Sequence, residues 1–490
     1  MKATDSLKYP DVMSQFPVLN SYTNYLAIFK LDDDDSREAV TSAFRVAFDE
    51  IKDKIPWIGH EIVNIDSSSS NLGRIIAKPW PIGVSRQDFF VKKYDNIMAP
   101  FKALAQANFP ASMLPAEDLE PWPSLPTPPA ASPAPVCALQ LNFIEGGVIL
   151  TISTNHTMID GSGIISLRRV LAAVMNGEAI PDNELSILSM DRTRVIPLLA
   201  QGEPIKDHSH LLRRAPTTPP PPLEIPPARW RVFRISREAV EEIKTRARTR
   251  DSSWIPTVSH ISTNDALSAF CWQRFSAVRL PLIVQRRRNK NNDETTDLHE
   301  HLLTRFGRAI DGRVAMGVPS SYMGHMVYHA TLWLPMSAVA TASLPFLATA
   351  LRRALDEANN AWSIRSYATF LSRQTDRSRL LYGGPQNPET DFGVSSLVTA
   401  FDWERKSSLR FGPLLGEPAV WRKTDHALIS GCLYFLDTEY EDCGGGDGNV
   451  VQMVLLCLPE DELDALGKDK EWTRYFKEVV EPEVNVRSKL

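Results

Sequence analysis

Cysteine is scarce in this chain, with five in 490 residues. Cys137, Cys271, Cys432, Cys443 and Cys457 are odd in number, widely spaced and mostly set in apolar segments. That pattern argues against a disulfide framework and for buried, reduced thiols. No Cys/His spacing resembles a zinc site, so no metal is expected. Excess positive charge is missing too: 54 Lys and Arg stand against 59 Asp and Glu, net −5. Composition therefore points to neither nucleic acid nor an anionic membrane as partner. No apolar run is long enough to span a bilayer. The first thirty residues hold no basic segment leading into an apolar one, so no secretory signal is expected. These absences lead to an intracellular, reducing compartment. The tripeptide Ser488-Lys489-Leu490 reads as a peroxisomal address, which leaves cytoplasm and peroxisome both open.

What is present is an ordinary globular composition, 43% apolar and 23% charged, in a chain long enough for two domains. Proline is plentiful and locates the breaks. Residues 110–135 read as a long surface loop. Residues 204–227, with four consecutive prolines at 219–222, read as a stiff extended linker. The expected division is a first domain over 1–203, a crossover linker over 204–229 and a second domain over 230–490. Strands are expected at 25–31, 74–77, 136–143, 148–154 and 230–235, with a closing strand at 450–458. Helices are expected after the acidic run Asp32 to Asp35, with Asp35 at its cap, from Ser236 to about Arg248, and from a Ser262 or Thr263 cap. Further helices are expected with Leu347, Leu351, Leu355, Ala358 and Trp362 in register, and from Glu460 to about Val480. Residues 284–300, with the basic cluster Arg286 to Lys290, read as a mobile loop. Residues 306–319 read as strand-like, and 411–418 as a constrained loop.

One stretch carries chemistry. The alternating run Val148 to Thr154 leads into Asn155-His156-Thr157-Met158-Ile159-Asp160-Gly161-Ser162-Gly163, after which Ile164, Leu167, Leu171 and Val174 fall at helical spacing. His156 therefore stands where a strand ends, with Gly161 and Gly163 easing the chain into a helix. A histidine so placed can act as general base, because its ordinary pKa lies near neutrality. Asp160 is either its catalytic partner or an anchor for the turn.

Three stretches in order resemble one family. His156-Thr157-Met158-Ile159-Asp160-Gly161 is similar to the His-x-x-x-Asp-Gly signature of the BAHD acyl-CoA-dependent acyltransferases. Ser262 to Ala266 resembles a segment of the fungal, trichothecene acetyltransferase-like branch. Ser395-Ser396 followed by Phe411-Gly412-Pro413 is similar to the family's Ser-Trp and Asp-Phe-Gly-Trp-Gly region. The departures are Arg410 in place of the family Asp, Leu397 in place of Trp, and Pro413-Leu414 in place of Trp-Gly.

The resemblance implies an α/β fold of two chloramphenicol-acetyltransferase-like domains, each a mixed β-sheet with flanking helices, with a tunnel between them. It implies acetyl-CoA or another acyl-CoA as co-substrate, with no permanently bound cofactor. The expected acceptor is a hydroxyl of a small specialised metabolite such as a terpenoid, alkaloid or polyketide. His156 is the implied base, and Asp160 turns away to pair with an Arg, for which Arg313 matches the position. Gly161 and Gly412 are structural in this scheme. Ser262, Ser395 and Ser396 are candidates for substrate or CoA contacts, with plain capping or packing as the alternative. A monomer is expected. Amine or longer-acyl transfer on the same scaffold, or a non-catalytic CoA- or metabolite-binding relative, are the competing readings.

Overall fold

The computed structural model describes residues 11–31, 36–67, 73–124, 134–213, 227–291, 302–396, 409–424, 429–441 and 449–479. Asp35, Cys443 and Ser488 to Leu490 lie outside the described residues.

The organising strand is Gly147–Asn155, rich in β-branched residues and buried along its whole length. Such strands need partners on both edges and cover on both faces. The two-residue turn Glu145-Gly146 folds Cys137–Ile144 against one edge, and Tyr22–Lys30 pairs antiparallel with the other. Phe89–Lys93 and Val420–Arg422 complete a mixed five-stranded sheet at its two edges. Helices Ser36–Lys54 and Gly161–Met175 lie over it. The second helix buries Ile164, Leu167, Val170, Leu171 and Val174, each burial contributing roughly 1.5–3 kcal/mol.

A seven-stranded mixed sheet organises the other half. Its order is Val327–Pro335, Leu303–Asp311, Phe392–Ser396, Cys432–Glu441, Asn449–Pro459, Ala228–Ser236 and Phe476–Glu478. Helices Thr263–Asn291 and Leu344–Ala358 supply Phe270, Trp272, Phe275, Leu347 and Leu351 to its core. A three-stranded sheet joins Arg74–Lys78, Glu61–Ile65 and Ala134–Pro135.

The two halves exchange segments. Val420–Arg422 lies after the proline-rich stretch but joins the first sheet, with Leu26 opposite Arg422, and Phe411 and Trp421 enter the first core. Met13, Phe16 and Leu19 go the other way, packing with Tyr322, Met326, Ile364 and Tyr367. The division into 1–203, 204–229 and 230–490 stays a proposal about chain order, and residues 214–226 of the linker are outside the described set.

Several expectations are corrected. The 110–135 stretch is not all surface loop, because it makes the short helical turns Ala111–Met113 and Ala116–Leu119 and buries Leu114 and Leu119. The basic cluster at 286 is not a loop either. Helix Thr263–Asn291 runs through Pro281 and carries Arg286 and Arg287, which pair with Asp461 and Glu389, each at 2.6 Å. The strand expected over 306–319 ends at Asp311, and Arg313–Met316 is a helical turn. The amphipathic helix stops at Ala358, and Trp362 belongs to a separate helix, Ala361–Ser372, capped by Asn360. The terminal helix is broken at Asp469, which caps Lys470–Tyr475. Phe476–Glu478, rather than 450–458, is the last strand described.

Candidate active site

His156 leaves its strand through a tight turn built by Asn155. The Asn155 carbonyl accepts from the amides of Met158 and Ile159 at 2.9 and 3.0 Å, and its side-chain Oδ1 accepts from the Thr157 amide at 3.1 Å. The His156 amide donates to the Ser21 carbonyl at 2.8 Å. Its carbonyl accepts from Nδ1 of His325 at 3.2 Å, which leaves Nε2 of His325 to accept from the Tyr382 hydroxyl at 3.3 Å. The backbone that presents the imidazole is therefore held from both halves of the chain. Behind it, Asp160 caps helix Gly161–Met175 by accepting from the Gly163 amide at 2.9 Å. Gly163 is required here for space, because a Cβ would come within 2.4 Å of the Met323 carbonyl oxygen. Gly161 lines the cavity beside His156.

Asp160 is turned away from the imidazole. Both guanidinium nitrogens of Arg313 meet it, at 2.8 and 3.0 Å, and the Met326 amide adds a bond at 2.9 Å. Four donors occupy one carboxylate. Burial is the largest single influence and would raise its pKa, but the charge and hydrogen bonds of Arg313, with His325 and the Met326 amide, together outweigh it and hold it below the ordinary value. Arg313 also donates to the carbonyls of Tyr322 and Gly324 and to Asp311, whose other oxygen accepts from Ser162 at 2.7 Å.

His156 opens onto a cavity of about 360 Å³ lined from both sheets. Burial lowers its pKa, a pull that Asp160 opposes and Lys423 reinforces, so the imidazole is neutral and able to accept a proton. Among the described residues its buried Nδ1 has no hydrogen-bond partner.

A family model described as trichothecene 3-O-acetyltransferase-like N-terminal domain matches residues 21–174. The O-acetyltransferase SAT5 of Stachybotrys chartarum is 39% identical over 467 residues, covering 95% of this chain and 94% of its own. The O-acyltransferase pigD of Monascus ruber is 35% identical over 477 residues, covering 96% and 98%. The solved structure of Fusarium sporotrichioides TRI101 complexed with coenzyme A and T-2 matches with a TM-score of 0.81 at 26% identity, over 96% of this chain and 99% of that one. The chain belongs to the BAHD-type acyltransferases, in their trichothecene 3-O-acetyltransferase-like branch.

Within this acyltransferase the remaining motif residues fall into two groups. Ser395 and Ser396 end strand Phe392–Ser396 and line the cavity. Ser262 is not among the lining residues. It forms a reciprocal cap with Asp265, whose amide donates to Ser262 Oγ at 3.1 Å while its carboxylate accepts from the Ser262 amide at 2.7 Å. Gly412 lies at the far end of the His156 helix, where its amide donates to Asn176 Oδ1 at 3.0 Å and its φ is +71°. Arg410 is exposed and stands 3.8 Å from Glu417, while its carbonyl accepts from Asn176 at 2.8 Å. The loop keeps its docking on that helix with the charge reversed.

Sequence reasoning missed His325, His329, Tyr382 and Lys423. His329, Tyr382 and Lys423 line the cavity, and His325 stands behind it against His156. Each is a single residue in an ordinary strand or loop, with no local pattern to mark it.

Proposed function

We propose that this acyltransferase transfers an acyl group, acetyl first among them, from coenzyme A to a hydroxyl of a small specialised metabolite, with His156 as general base. The observation that carries the reading is a neutral imidazole opening onto the cavity while the neighbouring carboxylate is fully engaged by Arg313. In this scheme His156 removes the hydroxyl proton as the oxygen attacks the thioester carbonyl, and it later protonates the departing thiolate. A base with a pKa below its ordinary value is free of its proton at neutral pH, which suits the first step. Asp160 acts through position, keeping the turn and helix start in register. Holding donor and acceptor together supplies proximity without a covalent acyl-enzyme.

Acyl-CoA as co-substrate is supported by the coenzyme A complexes of TRI101. A hydroxyl acceptor is supported by the names of SAT5 and pigD as O-acyl group transferases. The acyl-CoA is proposed to enter a tunnel between the two domains from one face and the acceptor from the other. A monomer is proposed, acting in the cytoplasm or, by its last three residues, the peroxisome. Among the described residues no helix is long and apolar enough to cross a membrane.

The test is thiol release from acetyl-CoA by the purified protein with a panel of hydroxylated terpenoids, alkaloids and polyketides, alongside His156→Ala. Release that depends on both an acceptor and His156 establishes the reading. Saturable CoA binding without release from any acceptor, in parent and variant alike, would favour a binding protein.

A further inference from the structure

Among the described residues, three charged side chains other than histidine line the cavity beside His156: Arg305, Asp311 and Lys423. Two of them have their charge answered. Asp311 is paired with Arg313 at 2.9 Å. Arg305 stands 3.7 Å from Asp391 and donates to the Gly383 carbonyl. Lys423 differs. It follows the edge strand Val420–Arg422 into the cavity and is only 6% exposed. Among the described residues none forms a hydrogen bond or an ion pair with its ammonium, whose neighbour is the Tyr434 ring, 5.5 Å from nitrogen to centroid. The acid whose charge bears on it, Glu120, is held by Ser124 at 2.9 Å and by the Thr424 hydroxyl.

A buried ammonium bonded directly to no acid is costly unless an occupant completes the pair, and Glu120 acts on Lys423 only through space. We propose that Lys423 is a specificity-determining residue whose ammonium binds an acidic oxygen of the acceptor, a carboxylate or phenolate carried beside the hydroxyl that is acylated. The proposal rests on the acyltransferase reading. It assigns the anion to the acceptor rather than to coenzyme A, because Lys423 lines the same cavity as His156. The thioester must also lie at His156, and the pantetheine arm sets the phosphates of coenzyme A far from the reacting sulfur. Burial lowers the Lys423 pKa to about 8 against the opposing pull of Glu120, so the group is still mostly charged at neutral pH. A site built to meet a polar group rejects the analogue that lacks it far more strongly than an apolar pocket rejects a small change in size.

The test is equilibrium binding by calorimetry to the full-length His156→Ala protein, in which turnover does not interfere. The probes are benzoate, salicylate and 4-hydroxybenzoate, each against its neutral amide. At least one acid should bind about 10- to 100-fold more tightly than its amide, the range of a hydrogen bond to a charged group. That preference should collapse in His156→Ala/Lys423→Met and return in His156→Ala/Lys423→Arg. No acid-over-amide preference, or one that survives Lys423→Met, overturns the proposal. Weaker acetyl-CoA binding in Lys423→Met without any acid preference also overturns it, by moving the residue to the donor side. Because the readout is binding, it stands apart from thiol release: silence in the turnover assay counts against acyl transfer, and an acid preference that is absent with Lys423 in place, or that persists without it, counts against Lys423.

Discussion

Arg313 grips Asp160 across 153 positions of chain, with one guanidinium nitrogen on each carboxylate oxygen at 2.8 and 3.0 Å. The pair is almost wholly buried, at 2% and 0% side-chain exposure, and it ties the turn carrying His156 to the loop carrying His325. Removing one partner would leave the other charge buried and unpaired, a loss on the order of 3–5 kcal/mol. Arg313→Ala and Asp160→Ala should both show a large drop in melting temperature, with activity falling as the turn loosens. Asp160→Asn, which keeps shape and some hydrogen bonds, should lose less stability than Asp160→Ala. Equal melting of the parent and Arg313→Ala would remove this account of the pair.

His156→Ala should behave in the opposite way. The side chain opens onto the cavity and its Nδ1 makes no hydrogen bond among the described residues, so melting should hardly change, while turnover falls by about 10²- to 10⁴-fold. Thermal unfolding and thiol release on the same preparation separate the two effects.

The pH dependence has two expected signatures. The pKa of His156 is lowered, chiefly by burial, so the acid limb of kcat/KM should lie below 6.5, the ordinary histidine value. Stability should also fall as pH drops below about 6.5. His325 and His329 are pushed down to about 3 and His60 and His208 to about 4, all chiefly by burial. Between those values and 6.5 the unfolded chain takes up protons that the folded chain refuses, so stability declines with acidity. Asp11 works against this trend, since burial raises its pKa to about 6 and the folded state holds its proton more firmly. Glu120, raised likewise by burial, joins Asp11, but His156 and His210 are lowered chiefly by burial as well, so two acids stand against six histidines and the decline is dominant. Melting curves from pH 7.5 to 4.5 check the sign, and His325→Gln should flatten the slope.

Gly163→Ala should be harmful even though alanine favours helices. Its Cβ would sit 2.4 Å from the Met323 carbonyl oxygen and 2.9 Å from a methyl of Ile159. Either the helix start or the 323 loop must move, at a cost of about 1–3 kcal/mol. Calorimetric unfolding of the variant measures it, and a gain in stability would mean that the contact is not tight.

The unusual charge at 410 should matter little. Arg410 is 63% exposed at its side chain and 3.8 Å from Glu417, so Arg410→Ala should change stability by less than about 1 kcal/mol. Phe411→Ala, next to it, should cost about 3–5 kcal/mol, because that ring is fully buried against Phe29 and Phe44. Chemical unfolding of the two variants side by side decides whether the loop is held by its charge or by its aromatic ring.

The sequence by itself determined what is local. The alternation from Val148 to Thr154, the Asx turn at Asn155, the cap at Asp160 and the helical spacing from Ile164 to Val174 all lie within thirty residues, and each is decided by neighbours a few positions away. His156 was legible for that reason, whereas Arg313 was legible only through the family resemblance. Tertiary structure decided the rest. Arg286 and Arg287 look like loop residues until Asp461 and Glu389 arrive to pair with them and hold the helix on. Leu114 and Leu119 sit among prolines but find a core beneath the first sheet. Val420–Arg422 crosses to the other half because the free edge of Tyr22–Lys30 offers it hydrogen bonds. His325, Tyr382 and Lys423 converge on His156 from separate stretches of chain, and no local spacing encodes that convergence. Burial, pairing and proton affinity at this site follow from contacts between residues far apart in sequence, and those exist only once the chain has folded.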